Sequence, residues 1–111
     1  MKQLVNDIEY FNNEIEKISR LCLSNETIDL RKLLGAISDS ISSIFPRVVA
    51  AYDIKELNEF IDEREYWISQ IERITNACAG DDIFLVVDVL YQETRANLKE
   101  FADRLVEKGL V

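Results

Sequence analysis

Apolar residues recur along this chain at helical spacing. Leu4, Ile8, Phe11, Ile15, Ile18 and Cys22 follow one another at intervals of four and three, so they line one face of a helix from about Lys2 to Leu23. Ser24-Asn25-Glu26-Thr27 interrupts the pattern, and Thr27 or Asp29 can serve as the N-cap of the next helix. Leu30, Leu33, Leu34, Ile37, Ile41 and Ile44 then mark a second helix. Pro46 is expected to kink or end it, because proline lacks an amide proton and its ring crowds the preceding turn. A third helix is expected to start at Asp53-Ile54-Lys55-Glu56, which has the form of a capping box with aspartate in place of serine. Ile54, Leu57, Phe60, Ile61, Trp67, Ile68, Ile71, Ile74 and Cys78 carry its apolar positions to about Ala79. Gly80 suits the left-handed position after a helix, Asp81 or Asp82 can cap a fourth helix, and that helix runs from Ile83 to about Lys108.

The first and third helices resemble each other residue by residue. Over Glu9–Cys22 and Glu65–Cys78 the identical pairs are Glu9/Glu65, Tyr10/Tyr66, Ile15/Ile71, Glu16/Glu72, Ile18/Ile74 and Cys22/Cys78. Phe11/Trp67, Glu14/Gln70, Lys17/Arg73 and Ser19/Thr75 are conservative. Past the turn the offset drops by three residues, and Leu30, Leu33, Leu34, Ile37 and Ile41 fall on Ile83, Val86, Val87, Leu90 and Thr94. This is the pattern of a repeated αα-hairpin. The expected fold is all-α: one domain, an antiparallel four-helix bundle made of two duplicated hairpins at about 2–52 and 53–108.

The fourth helix carries the anomaly that points to function. Between Ile83 and Tyr91 every residue is apolar except Asp88. On a helical wheel with Ile83 at zero, Val87, Leu90, Thr94 and Phe101 lie within about 40° of it, Asp88 near 140°, and Leu85 and Val89 roughly opposite. A helix apolar on all sides is normally covered on all sides. Either a second copy of the chain or another protein packs on this side, with Phe84, Leu85, Asp88, Val89 and Tyr91 as the expected contact residues, or the segment around Pro46 and Tyr52 or a neighbouring helix covers it. Asp88 would pair with a cation, within the chain from Arg31, Arg47 or Arg73, or across the interface.

Composition narrows the chemistry. There is no histidine, which removes serine triads, cysteine–histidine dyads and histidine-bearing zinc or di-iron sites. Gly35, Gly80 and Gly109 are too far apart for a phosphate-binding loop. Cys22 and Cys78 lie outside any CxxC pair and read as small buried residues, as Phe11, Trp67, Tyr10 and Tyr66 read as packing. No cofactor and no metal site is expected. The net charge of −8 disfavours nucleic acid and anionic membrane surfaces and admits a basic protein partner. With no span of membrane length and no signal-peptide core, a cytoplasmic protein is expected.

Two resemblances bear on activity. Glu56-Leu57-Asn58-Glu59 matches the ExxE element with which all-α nucleotide pyrophosphohydrolases of the MazG type hold magnesium. The family's later ExxD element is broken, since Leu85 stands three residues before Asp88 where its glutamate belongs. The stretch from Ile83 to Glu93 is similar to the C-terminal helix of small acidic all-α bacterial proteins of unknown function, and the short, acidic, helical profile resembles export chaperones. The resulting expectation is a non-catalytic interaction module, adaptor or chaperone-like, with two alternatives. One is a divergent MazG-like hydrolase using Glu56 and Glu59; the other is an inhibitor or immunity-type protein that binds a basic partner.

Overall fold

The computed structural model describes residues 1–23, 30–80 and 83–111, and the side chains of all of these except Leu23, Leu30, Arg31, Leu33, Leu34 and Ile83. The expected caps at Thr27, Asp29, Asp81 and Asp82, and the pairing of Arg31 with Asp88, lie outside the described residues. The chain is all-α. In order come α1 (Lys2–Leu23), α2 (Leu30–Ala51), a 3₁₀ helix (Lys55–Phe60), α3 (Glu63–Ala79), α4 (Ile83–Val89), a π turn (Leu90–Thr94) and α5 (Arg95–Glu107). The 22-residue helices α1 and α2 are each about 33 Å long and set the long dimension of a molecule measuring 46 × 22 × 20 Å. Helix α1 packs against α2, α4, the π turn and α5, while α3 packs against α2 and α4. The core between them holds Leu4, Ile8, Phe11, Ile15 and Ile18 of α1, the full seam read from the first helix except Cys22, which is half-buried.

Pro46 neither ends nor splits α2, which continues five residues beyond it to Ala51. Its missing amide leaves the Ser42 carbonyl without its helical donor, and the next residue, Arg47, bonds both the neighbouring turn and α1. The Arg47 Nε donates to the Ser43 carbonyl at 2.9 Å, and the same guanidinium bonds Asp7 of α1 at 2.7 Å. The Arg47 hydrogen bond is the main reason the Asp7 carboxyl is held below its ordinary range. Because Pro46 is exposed and inside a continuous helix, Pro46→Ala should raise stability by about 1 kcal/mol, the helical gain exceeding the entropy returned to the unfolded chain. Urea denaturation checks this, and a loss of stability would show that the proline turn is needed as it stands.

The third helix of the sequence pattern is in fact two helices. Ile54 is extended (φ −69°, ψ 134°) and no side chain caps the segment after it, so the expected capping box at Asp53–Glu56 does not form. Ile54, Leu57 and Phe60 are spaced by three, and a 3₁₀ helix of three residues per turn keeps all three on one side. Leu57 is fully buried there, and Phe60 lies under the Arg104 guanidinium, 3.8 Å from ring centre to Cζ. Ile61 stays exposed instead of joining the core. The α-helix begins only at Glu63, where Glu63 and Glu65 suit the positive N-terminal end of the helix dipole.

The end of α3 also differs from expectation, whereas the last helix ends at Lys108–Gly109 as expected. Gly80 has φ −82° and is not left-handed. Gly109 is (φ 72°), with its amide on the Val106 carbonyl and the Leu110 amide on the Leu105 carbonyl, both at 3.0 Å. That pair of bonds is a Schellman closure. Within the fourth helical stretch, the Arg95 amide reaches back five residues to the Leu90 carbonyl, which makes the π turn. The inserted residue lets Val86, Val87, Val89 and Leu90 above it and Thr94, Leu98, Phe101 and Leu105 below it all be buried.

Candidate interaction groove

The exposed side of α4 forms a groove with the last turns of α1. Its walls are Glu16, Ser19, Arg20 and Cys22 on one side and Phe84, Val87, Asp88, Tyr91 and Gln92 on the other, around a volume of about 360 Å³. Each wall follows from its helix. In α1, Ile15 and Ile18 turn into the core, so Glu16, Ser19 and Arg20 are left along the flank. In α4, Val86 and Val89 face inward, so Phe84 and Asp88 face out, and Phe84 remains 68% exposed. Val87 and Cys22 form the less exposed part of the lining.

One flank of the groove is held by a stack. The Arg95 guanidinium lies 4.2 Å from the centre of the Tyr91 ring and bonds Glu16 at 2.8 Å. Tyr91 and Arg95 stand four residues apart within the π turn, and Asn12 of α1 donates to the Arg95 carbonyl at 3.2 Å. The Arg95 Nε is buried without a hydrogen-bonding partner, so the arginine is held by its charge and its ring contact more than by a full set of bonds. Burial pushes the Cys22 thiol up, away from the thiolate form that a nucleophile or soft metal ligand requires. Arg20 and Asp88 have no hydrogen-bonding or ionic partner among the described residues.

The structure brings together three of the five expected contact residues, Phe84, Asp88 and Tyr91. Leu85 is exposed but does not line the groove. Val89 is a correction: it is 2% exposed and belongs to the core. The wheel centred the inward arc on Ile83 and Val87, whereas α4 packs on both α1 and α3, and a helix with two neighbours buries a wider arc. Two of the three proposed cations for Asp88 are engaged elsewhere, Arg47 with Asp7 and Arg73 with Glu93 at 2.8 Å. The α1 wall is not visible in the sequence, since Glu16 and Arg20 are ordinary charges on the polar side of an amphipathic helix.

A second cluster of polar and aromatic groups sits where the 3₁₀ helix meets α3 and α5. The Trp67 Nε1–H donates to the Tyr52 hydroxyl at 2.8 Å, and that hydroxyl donates to Glu63 at 3.1 Å. Glu63 also accepts from Arg104, and Lys108 donates to Glu59. Tyr52 is fully buried, and the dry site pushes its phenol well above the ordinary tyrosine range, with the Glu63 charge adding to the shift. Tyr66 accepts bonds from Gln70 and Asn97 beside a pocket of about 220 Å³. Trp67 and Phe11 are buried and Tyr66 packs edge-on against Trp67 at the margin of the core, while Tyr10 is exposed, in contrast to the packing expected of it. Arg64 reaches Asp53 at 3.7 Å.

For the magnesium alternative, Glu59 is paired with Lys108, and among the described residues no group of three or more carboxylate or thiol side chains is placed to hold a metal ion. No helix among the described residues is long and apolar enough to cross a membrane. Comparison of the chain with protein-family profiles, with curated proteins and with solved structures found no match in any of the three.

Proposed function

We propose that this chain is a non-catalytic protein–protein interaction module of the cytoplasm, an adaptor or chaperone-like binder, whose contact surface is the groove between α1 and α4. The observation that carries the reading is an aromatic side chain left mostly in solvent, Phe84, beside Asp88, which has no partner among the described residues, and a half-buried Tyr91 over an apolar lining. The scaffold is read as an antiparallel four-helix bundle of two duplicated hairpins, 2–52 and 53–108. The neighbour relations support this. Helix α1 touches α2 and α5, and α3 touches α4 and α2, so exchanging the halves maps one set of contacts onto the other. Burial supports it as well: Phe11 and Trp67 are equally buried, Tyr10 and Tyr66 are both exposed, and Cys22 and Cys78 are both half-buried.

Site-specific photo-cross-linking tests the function. A photoreactive aromatic residue replaces Phe84 in one protein and Asn58, exposed on the 3₁₀ helix, in another, and both are expressed in the native host. Discrete protein adducts from position 84 and none from position 58 are expected. Adducts at neither position, or the same adducts at both, would overturn the reading.

A further inference from the structure

The two groove charges that have no partner among the described residues are of opposite sign and lie on opposite walls, Arg20 on α1 and Asp88 on α4. No ion pair joins them within the chain. A two-fold interface sets residue i of one copy against residue j of the other and j against i. A groove with a cation on one wall and an anion on the other, neither paired among the described residues, is therefore complementary in charge to itself. Resting on the reading of this groove as an interaction surface, we propose that its occupant is a second copy of the chain. The two copies dock antiparallel about a two-fold axis, so that Asp88 of each meets Arg20 of the other and the two Phe84 rings close over the apolar lining.

A basic peptide fits less well, because it would set a like charge against Arg20. The net charge of −8 per chain acts against self-association, but it acts at long range. With the two centres about 20 Å apart, a Debye length of about 8 Å leaves roughly a tenth of that repulsion at physiological salt. Contact between paired charges within the interface is screened far less, so local complementarity decides.

Sedimentation across a concentration series tests the proposal. The wild-type mass should rise toward twice 12.9 kDa. Asp88→Arg and Arg20→Glu should each weaken dimerisation by at least about tenfold, because each turns both reciprocal pairs into like charges. An equimolar mixture of these two variants should recover dimer at concentrations where neither dimerises alone, since every pair is then attractive. Circular dichroism first establishes that the variants are folded. Asp88→Asn and Arg20→Gln, which remove charge without reversing it, should weaken association by a smaller factor.

A monomeric wild type, variants that dimerise as well as wild type, or a mixture without recovery would each overturn the two-fold pairing. A monomeric chain that still forms adducts to another protein through position 84 overturns only the second copy as occupant. Absence of adducts of any kind overturns the interaction reading as well.

Discussion

Trp67→Ala is expected to lower the stability of this protein by about 3–5 kcal/mol. Trp67 is 2% exposed and stands where three segments converge. Its ring centre lies 5.7 Å from that of Phe45 in α2 and 6.3 Å from that of Phe101 in α5, and its indole N–H bonds the Tyr52 hydroxyl. Truncation removes these ring contacts, opens a cavity between α2, α3 and α5, and withdraws the donor from a buried hydroxyl. A domain of this size has about 5–15 kcal/mol in all, so the thermal midpoint should fall by more than about 10 °C. The chain has one tryptophan, so unfolding must be followed by circular dichroism. Tyr10→Ala is the control. Tyr10 is 68% exposed, and its loss should change stability by no more than about 0.5 kcal/mol. A Trp67→Ala loss below about 1 kcal/mol would mean that the aromatic cluster is not packed as described.

Tyr52→Phe should cost about 1–3 kcal/mol at neutral pH, because it keeps the ring but strands the buried Trp67 N–H. Glu63 suffers less, since Arg104 still donates to it. The effect has a pH signature. Burial, aided by the Glu63 charge, makes the folded protein hold the Tyr52 proton more tightly than the unfolded chain, whose phenol titrates near the model value of 10.0. The stabilisation is therefore fully present below pH 10 and is lost as pH rises through the folded value. Tyr52→Phe has no such proton. The stability gap between the two proteins should be constant from pH 7 to 9 and narrow above pH 10. Groups present in both proteins cancel in the difference. Urea denaturation at pH 7, 9 and 11 checks this, and a gap that widens with pH would show that the hydroxyl is not held neutral by the fold.

The seam from Leu4 to Ile18 was legible because a helix with one buried side repeats its apolar residues at 3.6, whatever it packs against. The same held for the bounds of α1 and for the inward positions Val87, Leu90, Thr94 and Phe101. The break at Ile54–Asp62 was not legible. Apolar residues three apart suit an α-helix and a 3₁₀ helix alike, and the choice fell to the burial of Leu57 and to the ring contact of Phe60 with Arg104, 44 residues away in sequence. The π turn was equally hidden, because a one-residue insertion in an apolar stretch leaves no mark in composition. Of the candidate site, Phe84, Asp88 and Tyr91 could be named because they fall outside the inward arc of the wheel. Val89 was misplaced because the wheel shows angles, not the number of neighbours a helix has.

The amino-acid pattern was sufficient for the all-α class, for the helical ends of α1 and for one exposed arc on α4, since these depend on local periodicity and on excess apolar surface. Folding in three dimensions chose the partners: which arginine serves Asp7, Glu16 or Glu63, which tyrosine is buried, and which wall of α1 faces Phe84. Thirteen basic and 21 acidic side chains allow many pairings of similar energy in sequence. Charge attraction carries no address of its own, and only the packing of the apolar seams brings particular partners within reach.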